Sequence, residues 1–253
     1  VLVALCFFSS MLITNDVSLI TFVPFAIMML KKCGRWELMI PVVVLQTIAA
    51  NLGSMLTPIG NPQNLYLYGL AGVGAGQFMM WLLPYTVVSA VLLIISILLL
   101  KNKNADVSMK DTNDNSGQQA EPVNVLLYTI LFIIALLVVA RVLPWYVLTV
   151  LVFVTTFIIE RNVLLKADYA LLLTFVGFFI FTGNMGRIEP VALFLSGIAD
   201  GREIGVGIIT SQCISNVPAA LLLSGFTHNI KSLTLGVNIG GLGTLIASMA
   251  SLI

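Results

Sequence analysis

Between Glu37 and Lys101 the chain carries no Asp, Glu, Lys or Arg, an unbroken run of 63 residues. A single bilayer crossing takes about 20 apolar residues, so the run is too long for one crossing and holds two or three. The rest of the chain is built in the same way. Charged residues make up 9% of the 253, against about 25% in ordinary soluble domains, and the mean hydropathy is +1.06. Such a chain cannot cover a globular surface with charge. The solvent for most of it is lipid.

The flanking charges set the number of crossings. Lys31, Lys32 and Arg35 precede the run, and Lys101, Lys103 and Lys110 follow it. The positive-inside rule places both clusters in the cytoplasm, so the crossings between them are even in number. Two fit: an interrupted one over 38–70 and a plain one over 78–100, joined outside by the glycine-rich stretch Gly69–Gly76. Residues 101–122 are polar and without apolar periodicity, which predicts a disordered cytoplasmic linker between a first half (1–100) and a second half (123–253). Further crossings are expected over 123–140, 143–159 and 167–185, with Glu160, Arg161 and Lys166 marking a cytoplasmic turn. Only Arg141, Arg187, Arg202 and Lys231 are then left outside. The chain begins on Val1 and ends within an apolar run, and reads as a stretch of a longer protein truncated on both sides. An integral, multi-pass protein of the cell (inner) membrane is expected, with the lipid bilayer as its surroundings.

Several functions are excluded early. A net charge of +1 supplies no field for nucleic acid. Cys6, Cys33 and Cys213 are scattered, and His228 is the one histidine, so neither a disulfide framework nor a metal cluster is in view. No nucleophile–base pair or cofactor motif appears, and an enzyme is not expected.

The segment NLGSMLTPIGNPQNLY from Asn51 aligns without gaps on NIGGLGTLIASMASLI from Asn238. Five of sixteen positions are identical: Asn51/Asn238, Gly53/Gly240, Thr57/Thr244, Ile59/Ile246 and Leu65/Leu252. Upstream, Ile13-Thr14-Asn15 matches Ile214-Ser215-Asn216 in the same order. The first pair is separated by the cytoplasmic turn at Lys31–Arg35. The second is separated by His228–Lys231, which the charge count places outside. Two related units of opposite topology are therefore expected, an arrangement used by many secondary transporters.

The residue types within the repeat suit a polar site. Thr57-Pro58-Ile59-Gly60-Asn61-Pro62-Gln63-Asn64 cannot continue a regular helix, because each proline removes a donor and clashes with the preceding turn. In lipid, backbone groups freed by such a break must be buried in protein or line a wet cavity. Broken helices offer carbonyl oxygens to cations and half-helix N-termini to anions. Thr14-Asn15-Asp16 and Ser215-Asn216-Val217 also interrupt apolar runs. Asp16 is the sharpest residue, since a mid-membrane charge costs about 2.5–3.5 kcal/mol on insertion scales. The plainer reading is that Asp16 caps a helix starting at Val17. Gln46, Gln77, Phe78, Trp81 and Trp145 read as packing or interface anchors.

In ITNDVSLITFVPFAI, NLGSMLTPIGNPQN, SNVPAALLLS and NIGGLGTLIASMASLI, the chain resembles the ion transporter superfamily of divalent-anion/sodium symporters, citrate-type transporters and arsenite permeases. The resemblance implies an all-α polytopic membrane protein, with inverted repeats built from re-entrant hairpins and broken transmembrane helices. Hairpin tips at Thr14-Asn15-Asp16 and Ser215-Asn216-Val217 would face breaks at Thr57–Asn64 and Thr244–Ser248. It places the anionic substrate at Thr14, Asn15, Asn61, Pro62, Ser215, Asn216 and Val217. It places ion coupling at Asp16, Ser18, Asn51, Thr57, Gly60, Asn64, Asn238, Thr244 and Ala247, with sodium at Asn15, Asp16, Asn51 and Gly60. Asp16 and Val217 depart from the Ser-Asn-Thr tips of dicarboxylate members. An aspartate there looks more like the arsenite and proton-exchanging branches.

The expected activity is secondary transport of a carboxylate or inorganic oxyanion, coupled to sodium or protons by alternating access. The alternatives are arsenite/antimonite efflux or sodium/proton exchange on the same scaffold, and a channel or receptor is the rival from another class. No cofactor is expected beyond the coupling ion. A homodimer is the candidate assembly, which no motif specifies. Single cysteines at Gly34 and Asn113, in a background without the native three, should both react only from the cytoplasm. Labelling from opposite faces would remove the opposite-topology argument.

Overall fold

The computed structural model of the protein describes residues 1–100, 122–159, 161, 164, 169–248 and 251. The linker expected over 101–122 lies outside these residues except for Pro122, and so do Glu160 and Lys166 of the expected turn. Among the described residues there are twelve α-helices and no strand.

The helices are α1 (Leu2–Ile13), α2 (Asn15–Lys32), α3 (Met39–Ser54), α4 (Pro62–Ala71), α5 (Ala75–Leu99) and α6 (Pro122–Val139), followed by α7 (Trp145–Ile159), α8 (Tyr169–Met185), α9 (Glu189–Ala199), α10 (Glu203–Ile214), α11 (Asn216–Leu223) and α12 (Ile230–Gly240). The chain divides into two compact units. One comprises Val1–Lys110 with Gly177–Ile253, and the other Asp111–Val176, in which α6 packs on α7. The 25-residue α5 and the 19-residue stretch Trp36–Ser54 are long and apolar enough to cross a bilayer. At 1.5 Å per residue α5 is about 37 Å long. It leaves Val88, Val91, Leu92, Ile95 and Leu99 exposed, as a lipid-facing helix does.

Helix starts and stops follow local chemistry. The expected external stretch Gly69–Gly76 is mostly helical: α4 runs through Gly69 to Ala71, and α5 begins at Ala75. Only Gly72, with φ 67°, and its two successors make the turn, because glycine reaches that region without a Cβ clash. Likewise the first break is shorter than Thr57–Asn64. Pro62 occupies the first helical position of α4, where its missing N–H is no loss, so the non-helical chain is confined to 55–61.

Within the first unit, α1 and α2 form a hairpin that reverses at Thr14. Ser18 Oγ donates to Cys6 O at 3.2 Å and meets Ser9 Oγ at 2.7 Å. Twelve residues of straight helix would separate Ser18 from Cys6 by about 18 Å. Both arms pack on α3, with Cys6, Leu19, Ala49, Ala50 and Met55 fully or almost fully buried between them. The second hairpin, α10–α11, packs on α12 in the same way. The two groups interlock: α4 leaves α3 and packs on α11 and α12, burying Leu67 against Ala219, Ala220, Leu233 and Val237.

Glycine lets these helices approach closely. A Cβ on Gly53 would lie 2.1 Å from Phe7 O and 2.7 Å from Ser10 Oγ. On the aligned Gly240, a Cβ would lie 2.9 Å from Ile208 Cα and 2.7 Å from Ser211 Cβ. Gly53→Ala should therefore cost about 1–3 kcal/mol or more through overpacking. Gly69→Ala, in α4 with nothing within 4 Å of the new carbon, should gain about 0.5–1 kcal/mol. Thermal unfolding midpoints in detergent separate the two. An unchanged midpoint for Gly53→Ala would refute the α1–α3 contact.

Candidate functional site: two hairpin tips against two helix breaks

Each tip turns on one residue with an unusual backbone. Thr14 has φ 73° and ψ 154°, and Ser215 has φ 76° and ψ 154°. Residues other than glycine are rarely held there, at a cost of about 1–3 kcal/mol each. The geometry turns the chain within a single residue, so that α2 and α11 start at once with Asn15 and Asn216. The first amides of a helix have no partner in their own helix. Here both find one in the opposing break. Asn15 N–H donates to Gly60 O at 3.1 Å, and Asn216 N–H donates to Ala247 O at 2.9 Å. The alignment that pairs Asn51 with Asn238 also pairs Gly60 with Ala247, so the two bonds are counterparts.

The correspondence continues outward from these bonds. Thr57 Oγ1 donates to Met11 O at 2.5 Å, and the aligned Thr244 Oγ1 donates to Gln212 O at 3.2 Å. Asn51 Nδ2 donates to Thr47 O at 3.1 Å, and Asn238 Nδ2 to Thr234 O at 2.8 Å. The freed carbonyls of each break are met by an amide side chain, but from different places. Asn64 Nδ2, fully buried in α4, lies within 3.0–3.3 Å of the carbonyls of Ser54, Met55 and Thr57. In the second break Gln212 of α10 does this work. Its Nε2 donates to Gly240 O at 2.6 Å and Leu242 O at 2.5 Å, while its Oε1 accepts from Thr244 N–H at 2.9 Å. Gly60 is required sterically, since a Cβ there would lie 2.0 Å from Ser54 O.

Most of the residues singled out from the sequence meet at these two places. Asn15 Nδ2 donates to Asn51 Oδ1 at 3.1 Å, and Asn61 and Asn64 both bond Asn238. Gly60, Asn216 and Ala247 take part in the tip–break contacts themselves, and Thr14 and Ser215 turn the chain immediately before the donating amides. Pro62 opens α4, and Val217 is half-buried in the first turn of α11. Ser18 is not brought to a break, because its hydroxyl is bound to Ser9 and Cys6 inside the first hairpin. Thr244 is exposed and points its hydroxyl back at Gln212.

Asp16 is not a helix cap. Helix α2 starts at Asn15, and its N-cap is Thr14, whose Oγ1 accepts from Val17 N–H at 3.4 Å. The Asp16 backbone N–H donates to Asn15 Oδ1 at 3.0 Å, and its buried Oδ1 has no hydrogen-bond partner among the described residues. The same holds for Asn61 Oδ1. Gln212 was missed by sequence reasoning. A polar amide three residues before a tip serine was its only signal, and the matching position of the first hairpin is Met11. Gln46, read as a packing anchor, is fully buried and donates to Leu2 O and Phe22 O, whereas Trp145 is exposed.

Among the described residues the chain is all-helical, with polar groups gathered at paired helix breaks, an architecture consistent with a membrane transport protein. The chain belongs to the citrate transporter family, whose sequence model matches residues 1–250. It is 33% identical over 253 residues, its whole length, to an uncharacterized transporter of Methanocaldococcus jannaschii, and covers 68% of that protein. It is 30% identical over 250 residues to the inner membrane protein YbiR of Escherichia coli, with 96% of this chain and 65% of that one aligned. The chain thus spans about two thirds of the length of these relatives.

The Asn64 cage yields a direct test. Asn64→Leu copies the branched shape but strips the carbonyls of Ser54 and Met55 of their donor, each worth about 1–3 kcal/mol when buried and unmet, while Thr57 O keeps the Gly60 N–H. A loss of at least about 2 kcal/mol in detergent unfolding is expected. A loss under about 1 kcal/mol would contradict the caging role.

Proposed function

We propose that the protein is a secondary active transporter moving a small carboxylate or inorganic oxyanion across the cell membrane, coupled to sodium or protons by alternating access. The observation that carries this reading is the pair of counterpart tip–break contacts. Each places the N-terminus of a half-helix beside a carbonyl that belongs to no regular helix. The half-helix starts at Asn15 and Asn216 are positive dipole ends suited to an anion, with Thr14, Ser215, Asn61, Pro62 and Val217 around them. The break carbonyls and amide oxygens are hard neutral donors suited to sodium.

On this reading the hairpins are re-entrant and the two halves, 1–100 and 123–253, are inverted repeats in a multi-pass protein. Helix length in the second hairpin supports it: α10 has 12 residues, about 18 Å of helix, and falls well short of the roughly 30 Å hydrocarbon core. The coupling cation is assigned to the first tip, at Asp16, Asn15, Asn51 and Gly60. The buried Asp16 Oδ1, without a partner among the described residues, fits a cation or a proton. The second tip, with Val217 in place of Asp16, holds its ion through neutral oxygens alone, including those of Asn238, Thr244 and Ala247. The carboxylate at one tip is also the observation that favours the alternative reading, proton-linked efflux of arsenite or antimonite or sodium/proton exchange. A homodimer remains the candidate assembly.

Asp16→Asn separates coupling from structure, because asparagine keeps the shape and the backbone bond to Asn15 but cannot carry the charge. In proteoliposomes, gradient-driven accumulation of the transported anion should fall at least about tenfold, while insertion and unfolding midpoint stay near wild type. Asn15→Ala and Asn216→Ala should each weaken the apparent ion or substrate affinity. Wild-type accumulation ratios in Asp16→Asn, under the same sodium and pH gradients, would rule out its coupling role.

A further inference from the structure

The two breaks are not tied only to their own tips. Asn61 and Ser248 occupy matching positions, each directly after the carbonyl that accepts the tip amide. Asn61 Nδ2 donates to Asn238 Oδ1 at 3.3 Å, and Ser248 Oγ donates to Asn51 Oδ1 at 2.9 Å. Each break is therefore held by the asparagine of the other repeat. Asn238 adds a second link, donating through Nδ2 to Asn64 Oδ1 at 2.6 Å, while Asn51 Oδ1 also accepts from Asn15 of the first tip. Asn51, Asn61, Asn64, Asn238 and Ser248 are all 4% exposed or less. None of these bonds can be exchanged for one to bulk water, so breaking one leaves a buried polar group unpaired.

The exchange has a mechanical consequence. The first break cannot change shape without disturbing Asn238, which sits in the last turn of α12 at the edge of the second break. The second break cannot change shape without disturbing Asn51, which stands in the same place in α3. By position in the chain, Asn51 belongs to the first break and Asn238 to the second. The hydrogen bonds give each of them to both.

We propose that Asn51 and Asn238, through Ser248 and Asn61, couple the two ion sites across the inverted repeat, so that an ion ordering one break favours ion binding at the other. This inference rests on the reading that both tip–break pairs bind a cation. Coupling of this kind is reciprocal: whichever site fills first raises the affinity of the second by the same factor. Asn51 and Asn238 serve their own ion sites, whereas Asn61 and Ser248 act as positioning residues, and loss of their crossing bonds acts on cooperativity rather than on the number of ions bound.

The test is equilibrium binding of radioactive sodium to the purified full-length protein, with choline chloride replacing sodium chloride at constant ionic strength and pH. The wild type should bind two sodium ions with a Hill coefficient close to about 2. The double variant Asn61→Ala/Ser248→Ala removes both crossing donors, and its Hill coefficient should fall towards about 1 with two ions still bound. Asn61→Ser copies the residue at the matching position and should retain cooperativity. If the double variant does not fold, Ser248→Ala against Ser248→Thr decides: the alanine should lower the Hill coefficient and the threonine should restore it. Unchanged cooperativity in the alanine variants, or two ions bound independently by wild type, would overturn the coupling and leave the two-site reading standing. No saturable sodium binding by wild type would overturn the sodium reading, and the coupling with it.

Discussion

The structure depends on one backbone hydrogen bond, made twice. A helix that starts inside an apolar environment presents amides with no partner, and a helix that breaks there presents carbonyls with none. Either defect alone costs about 1–3 kcal/mol per group. Asn15 N–H on Gly60 O, and Asn216 N–H on Ala247 O, let each defect satisfy the other. Much of the surrounding design serves these two contacts. Thr14 and Ser215 adopt a backbone that glycine would reach at less cost, so that α2 and α11 begin against the break. Gly60 allows the chain to fold back on Ser54, and Asn64 and Gln212 occupy the carbonyls that the tips do not reach.

A second layer of polar contacts turns two local solutions into one structure. Because α4 leaves its own repeat to pack on α11 and α12, Asn61 and Asn64 at its start stand beside Asn238. Ser248 reaches Asn51 from the other side. The apolar packing and the amide network therefore exchange partners in the same sense. On the proposed coupling, a motion that opens one tip–break pair disturbs its counterpart through these buried groups.

Much of this was legible in the residues. Charge placement located α3 to α8 to within a few positions, because Lys and Arg at the ends of apolar runs have few other places to go, but it left α9 and α10 unplaced. The prolines and glycines of 57–64 announced the first break, and the match to 238–253 announced the second, which has no proline at all. What was not legible has a common cause. Gln212, the crossing bonds of Asn61 and Ser248, and the packing of α4 on the second repeat all join residues far apart in sequence. Such contacts leave no periodic trace. The plainer alternative for Asp16, a cap on a helix starting at Val17, fails because the positive φ at Thr14, which cannot be inferred for a residue other than glycine, lets α2 start at Asn15 with Thr14 as its cap. With Thr14 capping α2, the Asp16 carboxylate is left without a structural task among the described residues, which sharpens its reading as a functional group.

The claim that these paired breaks serve coupled transport is tested most directly by uptake into proteoliposomes of the full-length protein. A panel of labelled citrate, succinate, sulfate and arsenite would be offered under imposed sodium or proton gradients. The account predicts saturable accumulation of at least one of them above its equilibrium distribution, lost when an ionophore collapses the driving gradient. Flux that never saturates, stops at equilibrium and ignores both ionophores would contradict it and indicate a channel instead.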